Sequence, residues 1–244
     1  MDHYKFLNIS DKSFIGQEIR KELFIQHGRL SQAEKKLFDD NIEKLRLVYC
    51  LKKRTTNIPS LINEERSYLE IQIIEATLLT KDKLRKISET IFRAIDYPTL
   101  LILKKDDDMQ LCAAHRKLDP HDIASSFIED LVFTDWLNIK SDKLSFLDTK
   151  KMNRENFFTL YSSFVDAIHT LNISSVIPNC ENITCPEARE LYLRVNKLDE
   201  DIKSLKIMLS RESQFNRKME LNIQIKNLER KKDELIGEKN DETN

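Results

Sequence analysis

Carboxylates and a histidine set the terms on which this chain could do chemistry. A restriction-type metal nuclease needs an acidic residue on one strand and an acidic-x-Lys pair on the next. The carboxylates then hold Mg²⁺ while the lysine positions or activates water. Glu70, Glu75 and the aspartates at 106 to 108 are the available acids. Glu70 is followed at the second position by Gln72 and Glu75 by Thr77, so neither completes the triplet, although Asp82 sits between Lys81 and Lys83. Solvent-facing carboxylates at a strand edge account for Glu70 and Glu75 more simply.

His115, followed by Arg116 and Lys117 at the end of an expected strand, is the most distinctive polar position. Strand ends are where side chains converge on ligands. A histidine there could serve as general base or phosphate contact, with Asp135 as partner if its segment returns nearby. The plainer reading is a surface histidine beside a solvated basic loop. Asp119-Pro120-His121-Asp122 also looks ligand-like, and reads otherwise as a turn that starts a helix at Asp122 or Ser125. Four short basic runs, Lys52-Lys53-Arg54, Lys104-Lys105, Arg116-Lys117 and Lys150-Lys151, offer phosphate contacts if the fold gathers them. Lys52, Lys53, Arg54, Arg116 and Lys117 are the candidates for nucleic-acid contact.

Composition narrows these options. With 40 basic and 41 acidic residues among 244, the net charge is −1, so the chain is no polybasic nucleic-acid module by bulk charge. Only three glycines are present and no Walker loop occurs, which leaves little material for a glycine-rich phosphate cradle. Cys50, Cys112, Cys180 and Cys185 are scattered, without a second cysteine pair or nearby histidine to complete a tetrahedral zinc site. No cofactor is expected. The opening MDHYKFLNIS lacks a signal-peptide pattern, and no apolar run approaches the ~20 residues that span a bilayer. The chain reads as soluble and cytoplasmic, with reduced thiols and with the sequons at Asn172 and Asn182 as chance matches.

The elements that must position these residues follow from periodicity. Ser31 and Glu34 have capping-box spacing, so a helix should begin there, with Leu37, Ile42, Leu45 and Val48 or Tyr49 on its apolar face, ending near Lys52-Lys53-Arg54. Before it, the stretch from Ile15 to Phe24 reads as a short helix or extended arm. YLEIQIIEATLL, from Tyr68 to Leu79, is apolar on both faces and reads as a central strand. Lys81 to Ile95 has helical spacing and Thr99 to Leu103 is a second buried strand. The three aspartates make a turn, and Met109 to His115 gives a third strand. A crossover of this kind lays the second strand parallel to the first, with the third antiparallel beside it. FIEDLVFTDWLN is a strand or a short helix; its Trp136 is a core residue by default and an interface anchor as the alternative. Arg154 to Leu171 is helical with a broad apolar face.

The last quarter is different in kind. Leu191, Val195, Leu198, Ile202, Leu205 and Leu209 recur at alternating spacings of four and three, and Leu221, Ile225, Leu228, Lys232 and Leu235 repeat the rhythm after SRESQFNRK. Such seams require a facing helix. If the chain reverses within SRESQFNRK, the arms form an antiparallel hairpin with Phe215 and Arg217 at its tip; if not, one helix extends some 75 Å at about 1.5 Å per residue. The expected organisation is an α/β domain over residues 1–180, an arm over 187–237 and a disordered tail over 238–244. VIPNCENITCP, from Val176 to Pro186, marks the boundary.

Five stretches carry a family likeness: KKLFDDNIEKLRLVYCL (Lys35 to Leu51), EIQIIEATL (Glu70 to Leu78), AIDYPTLLIL (Ala94 to Leu103), FTDW (Phe133 to Trp136) and QFNRKMELN (Gln214 to Asn222). In this order they resemble bacterial domain-of-unknown-function family 4391. The resemblance supplies no catalytic residues. It implies a setting in restriction and anti-phage islands, beside a large helicase, a DNA methyltransferase and a restriction-type subunit. The expectation is therefore an α/β fold, a mixed sheet with flanking helices plus a C-terminal helical hairpin or coiled coil. The expected function is that of a non-enzymatic adaptor that recruits a helicase or nuclease through its arm, with DNA contacted within the complex and homo-oligomerisation left open. Leu198, Leu205, Leu221 and Leu228 would hold the arm, and Phe215 and Arg217 would present it. The alternatives are a divergent nuclease built on Glu70, Glu75, His115 and Asp135, or a DNA-sensing module.

Overall fold

A computed structural model describes residues 4–28, 30–119, 122–175 and 185–242. The chain divides into two compact units, Met1–Ile168 and His169–Asn244. The first opens with β1 (Phe14–Ile19) and the short helix α1 (Lys21–His27), then α2 (Gln32–Asn41), β2 (Ile42–Lys52) and the single turn α3 (Lys53–Thr56). A small hairpin, β3 (Leu61–Ile62) and β4 (Ser67–Tyr68), precedes β5 (Glu70–Leu78), α4 (Leu84–Arg93), β6 (Thr99–Lys105) and β7 (Asp108–Ala113). A second hairpin, β8 (Arg116–Asp119) and β9 (Asp122–Ile128), is followed by β10 (Val132–Phe133), β11 (Leu137–Asn138) and α5 (Phe157–Ile173).

The main sheet has the order β1-β2-β5-β6-β7-β10, with β11 also on β7. β5 and β6 run parallel and the other pairs are antiparallel, as the crossover through α4 and the tight turn at Asp106 require. Asp106 takes a positive φ of 56°, a conformation that Asp tolerates better than bulkier residues. Strand alternation sends Ile74, Ala76, Leu78, Leu101, Leu103 and Cys112 to one face, where they pack with Phe38 of α2 and Ile87 and Ile91 of α4. Ile71, Ile73, Leu100, Ile102 and Leu111 face the other way and are equally buried, which makes β5 and β6 the apolar centre. Tyr161 of α5 reaches the strand ends, its hydroxyl donating to the Thr99 carbonyl at 2.7 Å and accepting from the Ala114 amide at 3.1 Å.

Two expectations fail in informative ways. The capping box forms, with the Ser31 amide on Glu34 at 2.8 Å, but the helix ends at Asn41 instead of running to the basic cluster. The Asn41 side chain donates to the Leu37 carbonyl at 2.8 Å and accepts from Thr80 at 2.6 Å, closing the helix. Residues 42 to 52 then pair with β1 on one side and β5 on the other. Their Ile, Leu, Val and Tyr content suits either period, and partners on both sides decide for the strand. The helix expected at Asp122 or Ser125 is likewise absent: the segment is β9, paired with β8 from Arg116↔Ile128 to Asp119↔Asp122. The FTDW region contributes two short strands, β10 and β11, on β7.

In the second unit, α6 (Cys185–Arg211) and α7 (Phe215–Glu242) are joined by Glu212, Ser213 and Gln214. They run antiparallel, with Lys206 on Glu229 at 2.8 Å and Asp199 on Lys232 at 2.6 Å. The arm is thus a hairpin, and the single long helix is not formed. The proposed boundary over residues 176–186 falls largely on 176–184, outside the described residues. No helix among the described residues is long and apolar enough to cross a membrane.

Candidate functional site

His115 lies just beyond the end of β7, in an aromatic cage. Its ring centroid is 5.2 Å from that of Phe158, 5.4 Å from Tyr161 and 6.0 Å from Tyr68. The Tyr68 oxygen accepts the Arg116 amide at 3.3 Å, which leaves its own hydrogen for His115 Nδ1 at 2.7 Å. Ser162 Oγ donates to the Phe158 carbonyl at 2.9 Å, so toward His115 Nε2, 3.4 Å away, it can only accept. Both ring nitrogens of His115 thus have a hydroxyl neighbour. The serine hydrogen is committed to its own helix, and the pair does not have the polarity of a nucleophile and its base. Asp135 is not part of this group: β10 and β11 place it opposite the Met109–Leu111 stretch of β7, four residues short of His115.

Glu70 and Glu75 both belong to β5, five residues apart, so strand alternation turns them to opposite faces. Each meets a basic residue across the ladder: Glu70 faces Lys52 and Glu75 faces Arg46 in register. Lys52 lies 3.1 Å from Glu70, whose carboxylate also takes Gln72 Nε2 and Cys50 Sγ, each at 3.0 Å. Partial burial alone would raise the Glu70 carboxyl, but the hydrogen bonds from Gln72, Cys50 and Lys52 outweigh it and hold it below the ordinary range. Burial, reinforced by the Glu70 contact, pushes the Cys50 thiol up to about 12, so it stays protonated and unreactive. Glu75 is buried, held by Arg46 at 3.1 Å and by the Tyr4 hydroxyl. Burial first, then the neighbouring Glu75 carboxylate, drives the Tyr4 phenol well above its usual value. The strand-edge reading of Glu75 is therefore corrected: it is an interior carboxylate, ion-paired and hydrogen-bonded. Among the described residues no group of three or more His, Cys, Asp or Glu side chains converges to hold a metal.

The basic runs separate. Arg116 is buried, and its guanidinium donates to the Phe92 carbonyl at 2.9 Å, to that of Ile95, and to Ser126 Oγ at 3.0 Å. It closes the C-terminal end of α4, where exposed carbonyls attract a cation. Its guanidinium is thus already engaged within the fold. Lys117 lies 3.7 Å from Glu65, and Lys52 is the Glu70 partner just described. Of the remaining members, Lys150 lines a cleft. Thr55 and Thr56, which continue the Lys53-Arg54 run through α3, line the same cleft with Arg154. Arg154 reaches the Thr56 carbonyl at 3.4 Å across 98 residues of sequence. The cleft encloses about 400 Å³ over a floor of Leu51, Ile58 and Leu160. Sequence reasoning missed it because its walls come from segments far apart in the chain and its floor looks like ordinary core.

On the arm, Leu191, Val195, Ile202, Leu221, Ile225 and Leu235 are buried, and Leu198, Leu205, Leu209 and Leu228 are half-buried. The heptad seam is closed between α6 and α7. A different apolar set remains outside it: Phe215, 74% exposed, with Met219 and Ile223 at successive four-residue steps on α7, and Ile207 and Met208 near the end of α6. Arg217 pairs with Glu220 at 2.7 Å on the same turn as this stripe.

These parts define a class of protein, a mixed α/β domain continued by an α-helical hairpin. Within that class the chain belongs to the family described as Domain of unknown function (DUF4391), which it matches over residues 7–231. No curated protein and no solved structure matches it.

Proposed function

We propose that this protein is a non-enzymatic assembly subunit of a bacterial anti-phage or restriction-modification-like complex, recruiting a helicase or nuclease partner through its hairpin. The observation that carries the reading is the division of labour on the arm. Its heptad residues are used internally, while Phe215, Met219 and Ile223 form an exposed apolar stripe beside the turn. Exposed aromatic and methionine side chains on a rigid helix are the residue types that anchor interfaces. The defence setting rests on the family resemblance, and the salt bridges that engage Glu70 with Lys52 and Glu75 with Arg46 favour this reading over the nuclease alternative.

Tagged protein purified from its native host, alongside a Phe215→Ser/Met219→Ser variant, tests this directly. A helicase, methyltransferase or restriction-type subunit should co-purify in stoichiometric amount with the wild type and be lost from the variant. Recovery of a lone monomer or homodimer in both cases would overturn the adaptor reading. Leu205 and Leu228 serve a separate purpose: charged replacements there should open the hairpin itself and lose the partner with it.

A further inference from the structure

We infer that the cleft between α3 and the segment preceding α5 binds a nucleotide unit through its phosphate, either a free nucleoside monophosphate or the same unit within a nucleic-acid strand. The inference goes beyond the assembly reading, since it concerns the sheet-bearing unit and makes no use of the arm. Its volume of about 400 Å³ lies in the range of small-ligand sites, which run from about 300 to 1,000 Å³. The floor of Leu51, Ile58 and Leu160 is fully apolar, which suits a sugar or base, and Lys150 and Arg154 are among the lining residues.

The hydrogen-bond inventory shows which groups are left for a ligand. Thr55 and Thr56 both spend their hydroxyls on the Lys52 carbonyl, at 3.1 and 2.9 Å, and Thr149 spends its own on the Asn8 carbonyl at 3.2 Å. These threonines fix the wall. Ser10 accepts only a long contact from the Lys12 amide at 3.4 Å, so its hydroxyl hydrogen remains available. Lys150 and Arg154 line the cleft, and neither forms an ion pair among the described residues; nor do Lys53, Arg54 and Lys151 alongside. Two acids adjoin. Asp11 is on the rim, and Asp148 is already engaged by Asn8 Nδ2 and the Lys150 amide, each at 2.9 Å. Lys150 and Arg154 against Asp11 leave the lining with an excess of positive charge around an apolar floor. That combination favours a phosphate carrying an organic group over a bare anion.

The test uses the full chain and fluorescence anisotropy with a labelled oligothymidylate carrying a 5′-phosphate, at low and moderate salt. Three proteins are compared: wild type, Lys150→Ala/Arg154→Ala, and Lys104→Ala/Lys105→Ala as a basic pair elsewhere on the surface. All four side chains are at least partly exposed, so folding should be retained and is verified by circular dichroism. The cleft pair should weaken binding about tenfold or more and lower the salt slope by about one, while the control stays within about twofold. Displacement of the strand by dTMP assigns the site to a free or terminal nucleotide. Binding without displacement assigns it to internal phosphodiesters, and both uphold the inference when the cleft pair is required. No binding by the wild type, equal loss in the control pair, or equal displacement by oligoglutamate would overturn it.

Discussion

At the scale of single residues, Glu70 and Glu75, the acids that invite a catalytic reading, are each paired with a basic residue across the ladder. Arg46, Glu75 and Tyr4 form one interior network, and removing a single member strands the others. Arg46→Ala should cost about 3 kcal/mol in urea denaturation because it leaves a buried carboxylate without its counter-charge. Tyr4→Phe should cost about 1.5–3 kcal/mol, the loss of one hydrogen bond to a charged acceptor. His169 provides a pH signature. Both of its ring nitrogens lack a partner among the described residues, and its ring lies 6.2 Å from that of Tyr192. Burial, followed by the charge of Arg189, depresses its pKa from 6.5 to about 4. The unfolded chain therefore takes up a proton in this interval that the folded chain refuses, so stability is full above 6.5 and falls as pH drops toward 4. His169→Phe should flatten that part of the stability profile, measured by denaturant melts across the interval; an unchanged profile would show that His169 is not its source. Glu34 adds a second, more acidic component. The Arg93 hydrogen bond, followed by those from Ser31, lowers its carboxyl from 4.5 to about 2, so its contribution is present above 4.5 and lost as pH falls through 2.

At the scale of elements, the outcome depended on how many partners each segment found. The α4 helix, the β5 and β6 strands and the two arm helices were all legible because their periodicity is unambiguous. The stretch after Asn41 was not, because its apolar residues satisfy a helical face and a buried strand equally well, and only β1 and β5 on either side select the strand. The β9 stretch is ambiguous for a related reason: Asp119-Pro120-His121-Asp122 has the composition of a helix start, and only pairing with β8 selects the strand. The hairpin arm yields its own prediction. Ile225 is buried in the seam, so Ile225→Ala should destabilise the arm by about 2–4 kcal/mol and reduce helical circular dichroism. Trp136, stacked beneath Lys81 at 4.2 Å in the sheet-bearing unit, reports separately on that unit, and its emission should persist.

At the scale of the whole molecule, the features with surface to offer are the exposed stripe beside the arm turn and the basic cleft on the sheet-bearing unit. They call for different measurements. Phe215→Ser/Met219→Ser removes exposed side chains that hold nothing in place, so its stability should match wild type within about 0.5 kcal/mol while partner recovery is lost. The cleft variants should leave partner recovery intact and change only nucleotide binding. The sequence by itself determined the α/β class, the family, the parallel β5–β6 crossover and the existence of two heptad arms, because each rests on local periodicity or on landmarks in order along the chain. Only the tertiary structure decided that the arms fold back on one another, that Arg116 caps the end of α4, and that Thr56 and Arg154 share a cleft. Those outcomes depend on which distant segments desolvate each other, and short-range pattern carries no information about that choice.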